Sequence, residues 1–543
     1  MIEFNTMKYI FVTGGVVSSL GKGITAASLG RLLKARGYRV SMQKMDPYYN
    51  IDPGMLSPLM RGEAFITDDG TPADHDLGHY ERFLDTQLKG DASVSTGKIH
   101  LAIMEQERRG AFRGGTIQMV PHVTDEIKRR VVQAAQNAEA DVAIVEIGGT
   151  VGDMEGAPFL EAIRQMKWDY PEGDCCFVHV TLLPTVGAER EIKTKPTQHS
   201  VKTLRSIGIQ PDFVVCRTDI DISAEARSKI ALFCNVPAEH VIANKDVEVR
   251  YEVPLCLEEE GFADKVLAYL NLPVREANLF AWREMVNRAK SANRVICVGL
   301  VGKYIEIHDA YISAVEALRH AGYARGVSVD LKWISAKSVE TAGPDAALQG
   351  LDAILVPNGY GRSGAEGLIQ TAAWAHLHRV PYLAIGYGML LTVVAAVRSL
   401  LGRPEAHSTE VKPDTPDPVA RIPKDRLDPA GDKVGGSDRA RTGGQGLLLS
   451  GEGLLTACYG GTREIRERHN NRYEINPAYV QPLTEKGVKF PAMEKREGYI
   501  EAIERPDHPF YIGVLYHPEF LSRPDRPHPL FEAFVKAGMG AGL

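Results

Sequence analysis

Residues 9–37, YIFVTGGVVSSLGKGITAASLGRLLKARG, limit what this chain can fold into more than any other stretch. Tyr9, Ile10, Phe11 and Val12 form an unbroken apolar run, the mark of a parallel strand covered on both faces. A glycine- and serine-rich turn runs from Gly14 to Gly23. A helical pattern of Ala27, Leu29, Leu32 and Leu33 follows, and Gly37 closes it. Strand, glycine turn and helix N-terminus together make an anion site. Backbone N–H groups can approach a phosphate chain, the helix dipole favours negative charge, and Lys22 reaches the outer phosphates. The spacing departs from the usual G-x-x-x-x-G-K-[ST] loop. Five residues separate Gly15 from Gly21, and Gly23 stands where a hydroxyl normally holds the metal. Any metal here needs carboxylates from elsewhere. An ordinary glycine-rich turn is the alternative, but the flanking strand and helix favour phosphate.

With 543 residues the chain has room for two or three domains. A net charge of −6 gives no basic excess for nucleic acid, so a nucleotide partner fits better than a polymer. The first residues lack a signal-peptide pattern and no apolar run reaches membrane-spanning length, so a cytoplasmic protein without membrane contact is expected. Seven scattered cysteines, none in Cys-x-x-Cys spacing, read as buried thiols.

Apolar runs and helical patterns alternate from residue 8 to about residue 272, which predicts a doubly wound α/β domain. A second strand–loop–helix series starts at Arg294. The expected division is a domain over 1–272, a helical connection over 273–293 and a second α/β domain over 294–543. Residues 411–447, rich in Pro, Gly, Asp and Arg, read as a surface insertion or mobile loop.

Further polar groups gather at strand ends in the first domain. Lys44 closes one strand and, with Lys22, could flank a phosphoryl group in transfer. Glu146 ends the apolar run of residues 141–145, and a carboxylate there needs a partner. Together with Asp76 from the acidic loop of residues 74–76, it could supply the Mg²⁺ ligands that Gly23 cannot. The cluster Lys193, Thr194, Lys195, Pro196, Thr197, Gln198, His199 and Ser200 suits a second triphosphate, with Gln198 reading a base edge, or equally a helix-capping loop.

The segments GGVVSSLGKG, QKMDPYYNIDPG, DLGHYERF, ERRG, VEIGGTVGD, KTKPTQHSV and IALFCNVP, in this order, resemble the CTP synthase family over nearly the whole chain. The resemblance implies a P-loop-type synthetase domain fused to a class I glutamine amidotransferase-like domain. It implies that ATP phosphorylates the uracil O4 of UTP and that ammonia displaces the phosphate to give CTP. Ser19, Leu20, Gly21, Lys22, Gly23 and Ile24 would cradle ATP. Lys22 and Lys44 would stabilise the moving charge, and Asp76 and Glu146 would hold Mg²⁺. Ser18, the residues 193–198 and Lys229 would hold UTP. Asp153, Met154 and Glu155 would serve CTP feedback, while Lys245, Asp246 and Val247 would lie near the adenine. A homotetramer is implied as well. Two departures fall in the first domain. Met60-Arg61 replaces the family's Gln-His, and Arg190 stands where a glycine is typical.

A class I amidotransferase also needs a cysteine on a strand-to-helix elbow, a histidine to activate it and a glutamate to orient the histidine. His517 and Glu519 are present. The elbow reads Ala384-Ile385-Gly386-Tyr387-Gly388-Met389-Leu390, with Gly386 in the nucleophile position and Leu390 replacing a glutamine. The oxyanion segment, Pro-Gly-Gly-Phe-Gly in the family, is Pro357-Asn358-Gly359-Tyr360-Gly361. Gly359, Glu410 and Arg472 remain as a vestigial glutamine site. The expected activity is amination of UTP using free or externally supplied ammonia. The alternatives are an amidoligase acting on another carbonyl-bearing nucleotide, or a non-catalytic paralogue that binds nucleotides or regulates an active synthase.

Overall fold

The computed structural model describes residues 7–17, 20–187, 190–423, 426 and 440–540. The chain divides into two compact units, residues 1–51 with 79–286 and residues 52–78 with 287–543. Residues 52–78 thus join the second unit. Of the expected helical connection, residues 273–279 carry no regular structure, and a helix spans Phe280–Lys290.

The first unit is built on seven strands: β1 (Lys8–Gly14), β2 (Val40–Asp46), β3 (Ser93–Ser95), β4 (Val142–Ile147), β5 (Cys175–Leu182), β6 (Phe213–Thr218) and β7 (Val241–Lys245). They pair in parallel in the order β7-β6-β5-β1-β4-β2-β3. Every residue of β1 is buried, as the apolar run predicts for a strand with helices on both faces. Tyr9, Phe11, Val145 and Phe177 pack on one face against Ile127, Phe159 and Ile163. On the other lies α1 (Lys22–Ala35), where a Cβ on Gly30 would come within 3.5 Å of Met42 and Ile144. Gly37 follows α1 at φ 83°, the left-handed turn read from the sequence.

The main sheet of the second unit has six strands: β8 (Arg294–Gly302), β9 (Val327–Ser335), β10 (Ala353–Val356), β11 (Tyr382–Ile385), β12 (Ala502–Glu504) and β13 (Tyr511–Val514). Their order is β9-β8-β10-β11-β13-β12, parallel except for β12 against β13. Alternate residues of β10 feed opposite cores, Ile354 and Val356 on one side and Ala353 and Leu355 on the other.

Two expectations change. The region 411–447 holds a strand at Pro418–Arg421 and the start of a nine-residue strand at Arg441–Leu449 that pairs with Glu464–Asn471. Its polar, glycine-rich sequence hid a ladder anchored by the buried Arg441, which is ion-paired with Glu474 at 2.8 Å. Residues 424–425 and 427–439 of that region lie outside the described residues. The cysteines are also not uniformly buried. Cys175, Cys176, Cys216 and Cys234 are, whereas Cys256, Cys297 and Cys458 are half-buried. Among the described residues no helix is long and apolar enough to cross a membrane.

Candidate active sites

In the first unit β1, β2, β4 and β5 end on one carboxyl edge. The chain passes from one side of β1 to the other between β4 and β5. In open parallel sheets ligands bind at such a switch point. Lys22 opens α1 there, after Gly21 at φ 85°. Its Nζ donates to the carbonyl of Gly149 at 2.7 Å, in the loop after β4. A Cβ on Gly14 would lie 2.6 Å from Lys22 Cδ, so this lysine's path requires the glycine. Val16 holds φ 85°, a strained value for a β-branched residue and of the kind that collects in ligand-binding loops. Leu20 and Gly23 are buried, Gly21, Lys22 and Ile24 half-buried. Ser18 and Ser19 lie outside the described residues.

Strand register explains the next pair. Lys44 on β2 stands opposite Glu146 on β4, and their side chains form an ion pair at 3.3 Å. Both are buried, and the Tyr80 hydroxyl donates to the second Glu146 oxygen. Tyr80 lies within the DLGHYERF segment, but sequence reasoning gave it no role of its own. In the segment 52–78, Asp74, His75 and Asp76 bring one ligand atom each within 4.8 Å of one another. Carboxylate oxygens such as those of Asp76 and Glu146 suit Mg²⁺, which takes few protein ligands and keeps waters and phosphates.

Register also reveals a buried chain behind the loop. Thr13 on β1 faces His179 on β5, with Oγ1 and Nδ1 2.8 Å apart. His179 Nε2 lies 2.7 Å from Ser200 Oγ on α2 (Lys195–Ser206). A Cβ on Gly15 would sit 1.9 Å from that oxygen. Burial, with the Lys22 charge adding, pushes His179 down to about 3, so it is neutral.

The Lys193–Gln198 cluster divides. Thr197 is fully buried, its hydroxyl 3.0 Å from that of Thr181 and donating to the Leu182 carbonyl at 3.1 Å, so it does not face a ligand. Thr194 is buried and accepts from Gln198 Nε2 at 3.1 Å. Lys195, Gln198, His199, Lys202, Arg205 and Phe233 line a basic cleft of about 670 Å³. Lys193 is paired with Glu191 at 2.6 Å, Pro196 opens the helix and Lys229 is exposed. Arg190 takes φ 52°, keeping the backbone that glycine favours, and pairs with Asp219. Asp153, Met154 and Glu155 are exposed after β4. At the end of β7, Lys245 pairs with Asp221 and Asp246 with Arg217, and Val247 is half-buried beside them.

In the second unit the elbow backbone is intact. Gly386 sits between β11 and α3 (Tyr387–Leu401) at φ 57°, ψ −123°. Its N–H is held by the Val514 carbonyl at 2.8 Å. The Tyr387 N–H, an oxyanion donor in such elbows, donates to Asn358 Oδ1 at 2.9 Å. His517 Nδ1 and Glu519 Oε1 are 2.7 Å apart, while the buried His517 Nε2 has no hydrogen-bond partner among the described residues. Glu410 accepts from the Gly361 N–H at 2.7 Å. Lys303 donates to the Gly361 carbonyl, packs 3.5 Å from where a Cβ on Gly359 would stand, and is pushed down to about 8 by burial. Arg472 is exposed. After residue 286 the only cysteines are Cys297 and Cys458. Burial raises both thiols, Cys458 to about 12, the opposite of what a nucleophile needs.

A family model of the CTP synthase N-terminus matches residues 8–272, and one of class-I glutamine amidotransferase matches residues 306–537. The CTP synthase of Clostridium acetobutylicum is 50% identical over 97% of this chain and 98% of its own length. That of Roseiflexus castenholzii is 51% identical over 98% and 95%. That of Caldanaerobacter subterraneus subsp. tengcongensis is 50% identical over 98% of each. With half the residues shared along almost the full length of both units, the chain belongs to the CTP synthase family.

Proposed function

We propose that this protein aminates UTP to CTP at the expense of ATP and takes its nitrogen as ammonia that it does not itself generate. A carbonyl oxygen is a poor leaving group and phosphate a good one. The γ-phosphoryl of ATP passes to the uracil O4, releasing ADP. Ammonia then adds at C4, and phosphate leaves with the former carbonyl oxygen. Lys22 and Lys44 stabilise the charge in transfer. Asp76 and Glu146 would hold Mg²⁺, which neutralises phosphate charge when bound. The segment 19–24 and residues 245–247 take ATP, and Ser18, Lys193, Thr194, Lys195, Pro196, Gln198 and Lys229 take UTP. Residues 153–155 serve CTP feedback in a cytoplasmic homotetramer.

One observation carries the reading. The Lys22, Lys44 and Glu146 groups stand at the sheet's switch point, while the amidotransferase elbow has no side chain at Gly386. Without a nucleophile no thioester forms, and such a loss costs many orders of magnitude in rate. Arg190 and Lys193, tied to Asp219 and Glu191, favour one second reading, a different carbonyl-bearing nucleotide as acceptor.

The purified protein is given ATP, UTP and Mg²⁺ with either ammonium or glutamine, and CTP, ADP and glutamate are measured. Ammonium should support CTP formation, and glutamine should yield neither CTP nor glutamate. Lys22→Ala should lower turnover by about 10²–10³-fold. Glutamine-driven synthesis at the ammonium rate would refute the nitrogen source. Amination of another nucleotide in place of UTP would favour the second reading.

A further inference from the structure

The missing thiol is one of two changes at the elbow. β10 and β11 are adjacent and parallel, with Val356 opposite Ala384. Two residues further along each strand come Asn358 and Gly386, side by side. A Cβ built on Gly386 would meet Asn358 Oδ1 at 2.8 Å, Cγ at 2.9 Å and Cβ at 3.0 Å. The clash therefore reaches the root of the side chain, which cannot yield by rotating its tip. Asn358 Oδ1 also accepts the Tyr387 N–H at 2.9 Å. Tyr387 is buried, so this N–H at the start of α3 would be left without a partner if Asn358 swung away.

We infer that Asn358 is a built-in occupant of the glutamine subsite. Its carboxamide, the same functional group as glutamine's, takes the oxyanion donor and the space beside the elbow, closing this unit to glutamine independently of the missing thiol. His517 gives a separate sign of the vanished chemistry. It is buried and still oriented by Glu519, yet its Nε2 has no hydrogen-bond partner among the described residues. The acid–base pair has kept its geometry where Asn358 and Gly386 have replaced what it acted on. The inference deepens the glutaminase part of the reading above and rests on it for the location of the subsite.

The test compares the full-length protein with Asn358→Gly, Gly386→Cys and the double variant. Glutamine binding is followed by calorimetry. Labelling of the introduced thiol by a glutamine-shaped chloroketone is followed by intact mass, and folding by thermal melting. Glutamine should bind to Asn358→Gly at least about 10-fold more tightly than to the unmodified chain. Gly386→Cys alone should melt earlier and label slowly, and adding Asn358→Gly should recover the part of the midpoint lost to the clash, the φ 57° strain remaining, and speed labelling by about 10-fold. Asn358→Ala, which also removes the carboxamide, serves if the glycine variant does not fold. Equal glutamine affinity in the unmodified chain and the Asn358 variants would overturn the inference, as would equal labelling of the single and double variants. None of these readouts depends on CTP synthesis. An inactive synthetase site leaves the inference standing, and its failure leaves ammonia-dependent amination standing.

Discussion

Both units present a parallel strand, a glycine turn and a helix N-terminus, and the two turns have opposite histories. In the first, two glycines make room for something the chain still holds. Gly14 clears the path of Lys22, and Gly15 clears Ser200 Oγ. In the second, Gly386 occupies the position of the reacting group itself, and a neighbouring side chain has filled the space. What a glycine means in such a turn is decided by what its missing Cβ would meet. At Gly15 it would meet the end of a hydrogen-bond chain, and at Gly386 a carboxamide in the place of a substrate.

If the first site is maintained by function, its buried charges should matter more than anything left at the second. Glu146→Gln keeps the shape and removes a carboxylate partner of the buried Lys44. It should destabilise the protein by about 3 kcal/mol, read from urea unfolding, because taking one partner from a buried ion pair is costly. Lys44→Met added to Glu146→Gln should recover most of that loss, while ADP release from ATP stays abolished. Full stability in Glu146→Gln alone would mean that the pair is not a maintained feature, and the contrast between the sites would weaken.

The phosphate loop and Glu146 were legible because each sits at the end of an apolar run, and Lys44 because it stands near the end of a strand, which runs on to Asp46. The empty elbow was legible because the residues around Gly386 keep their pattern. Asn358 was visible as a departure, but its contact with Gly386 was not. That contact arises from the Val356–Ala384 register between two strands, which no local pattern encodes. The same holds for His179, brought to Thr13 by register alone. The strand Arg441–Leu449 escaped for a different reason. Its glycines and polar residues lack strand propensity, and tertiary pairing with Glu464–Asn471 overrides it. Thr197 was read as ligand-facing because a cluster of polar residues says nothing about which side of a helix each one takes.

The His179 chain gives a smaller, pH-dependent test. The folded group titrates near 3 and an unfolded histidine near its ordinary value of 6.5. Between those values the unfolded chain binds the extra proton, so stability is fully present above about pH 6.5 and is lost as pH falls toward 3. The expected slope is about 1.4 kcal/mol per pH unit, or about 2 kcal/mol between pH 7 and pH 5. His179→Gln should lose part of that slope. Unfolding curves at pH 7 and pH 5 should show the variant less stable at pH 7 and converging with the original protein at pH 5. Parallel curves would mean that His179 does not titrate as a buried neutral group, and the support behind Gly15 would need another account.

The smallest effect concerns strain, where the two turns differ most sharply. Val16 takes φ 85° without being glycine, whereas at the elbow a glycine has removed the strain that a side chain would suffer at φ 57°. A side chain in such a region costs about 1–3 kcal/mol. Val16→Gly recovers that cost but adds about 0.5–1 kcal/mol of chain entropy lost on folding. The variant should therefore be more stable by about 1 kcal/mol, read from urea midpoints. A loop no longer held in one conformation should also raise the KM for ATP more than it lowers kcat. A stabilised variant with unchanged KM would mean that the strain at Val16 is incidental. A destabilised one would mean that Val16 makes contacts outweighing its backbone, and the loop would then resemble the elbow in owing its shape to packing alone.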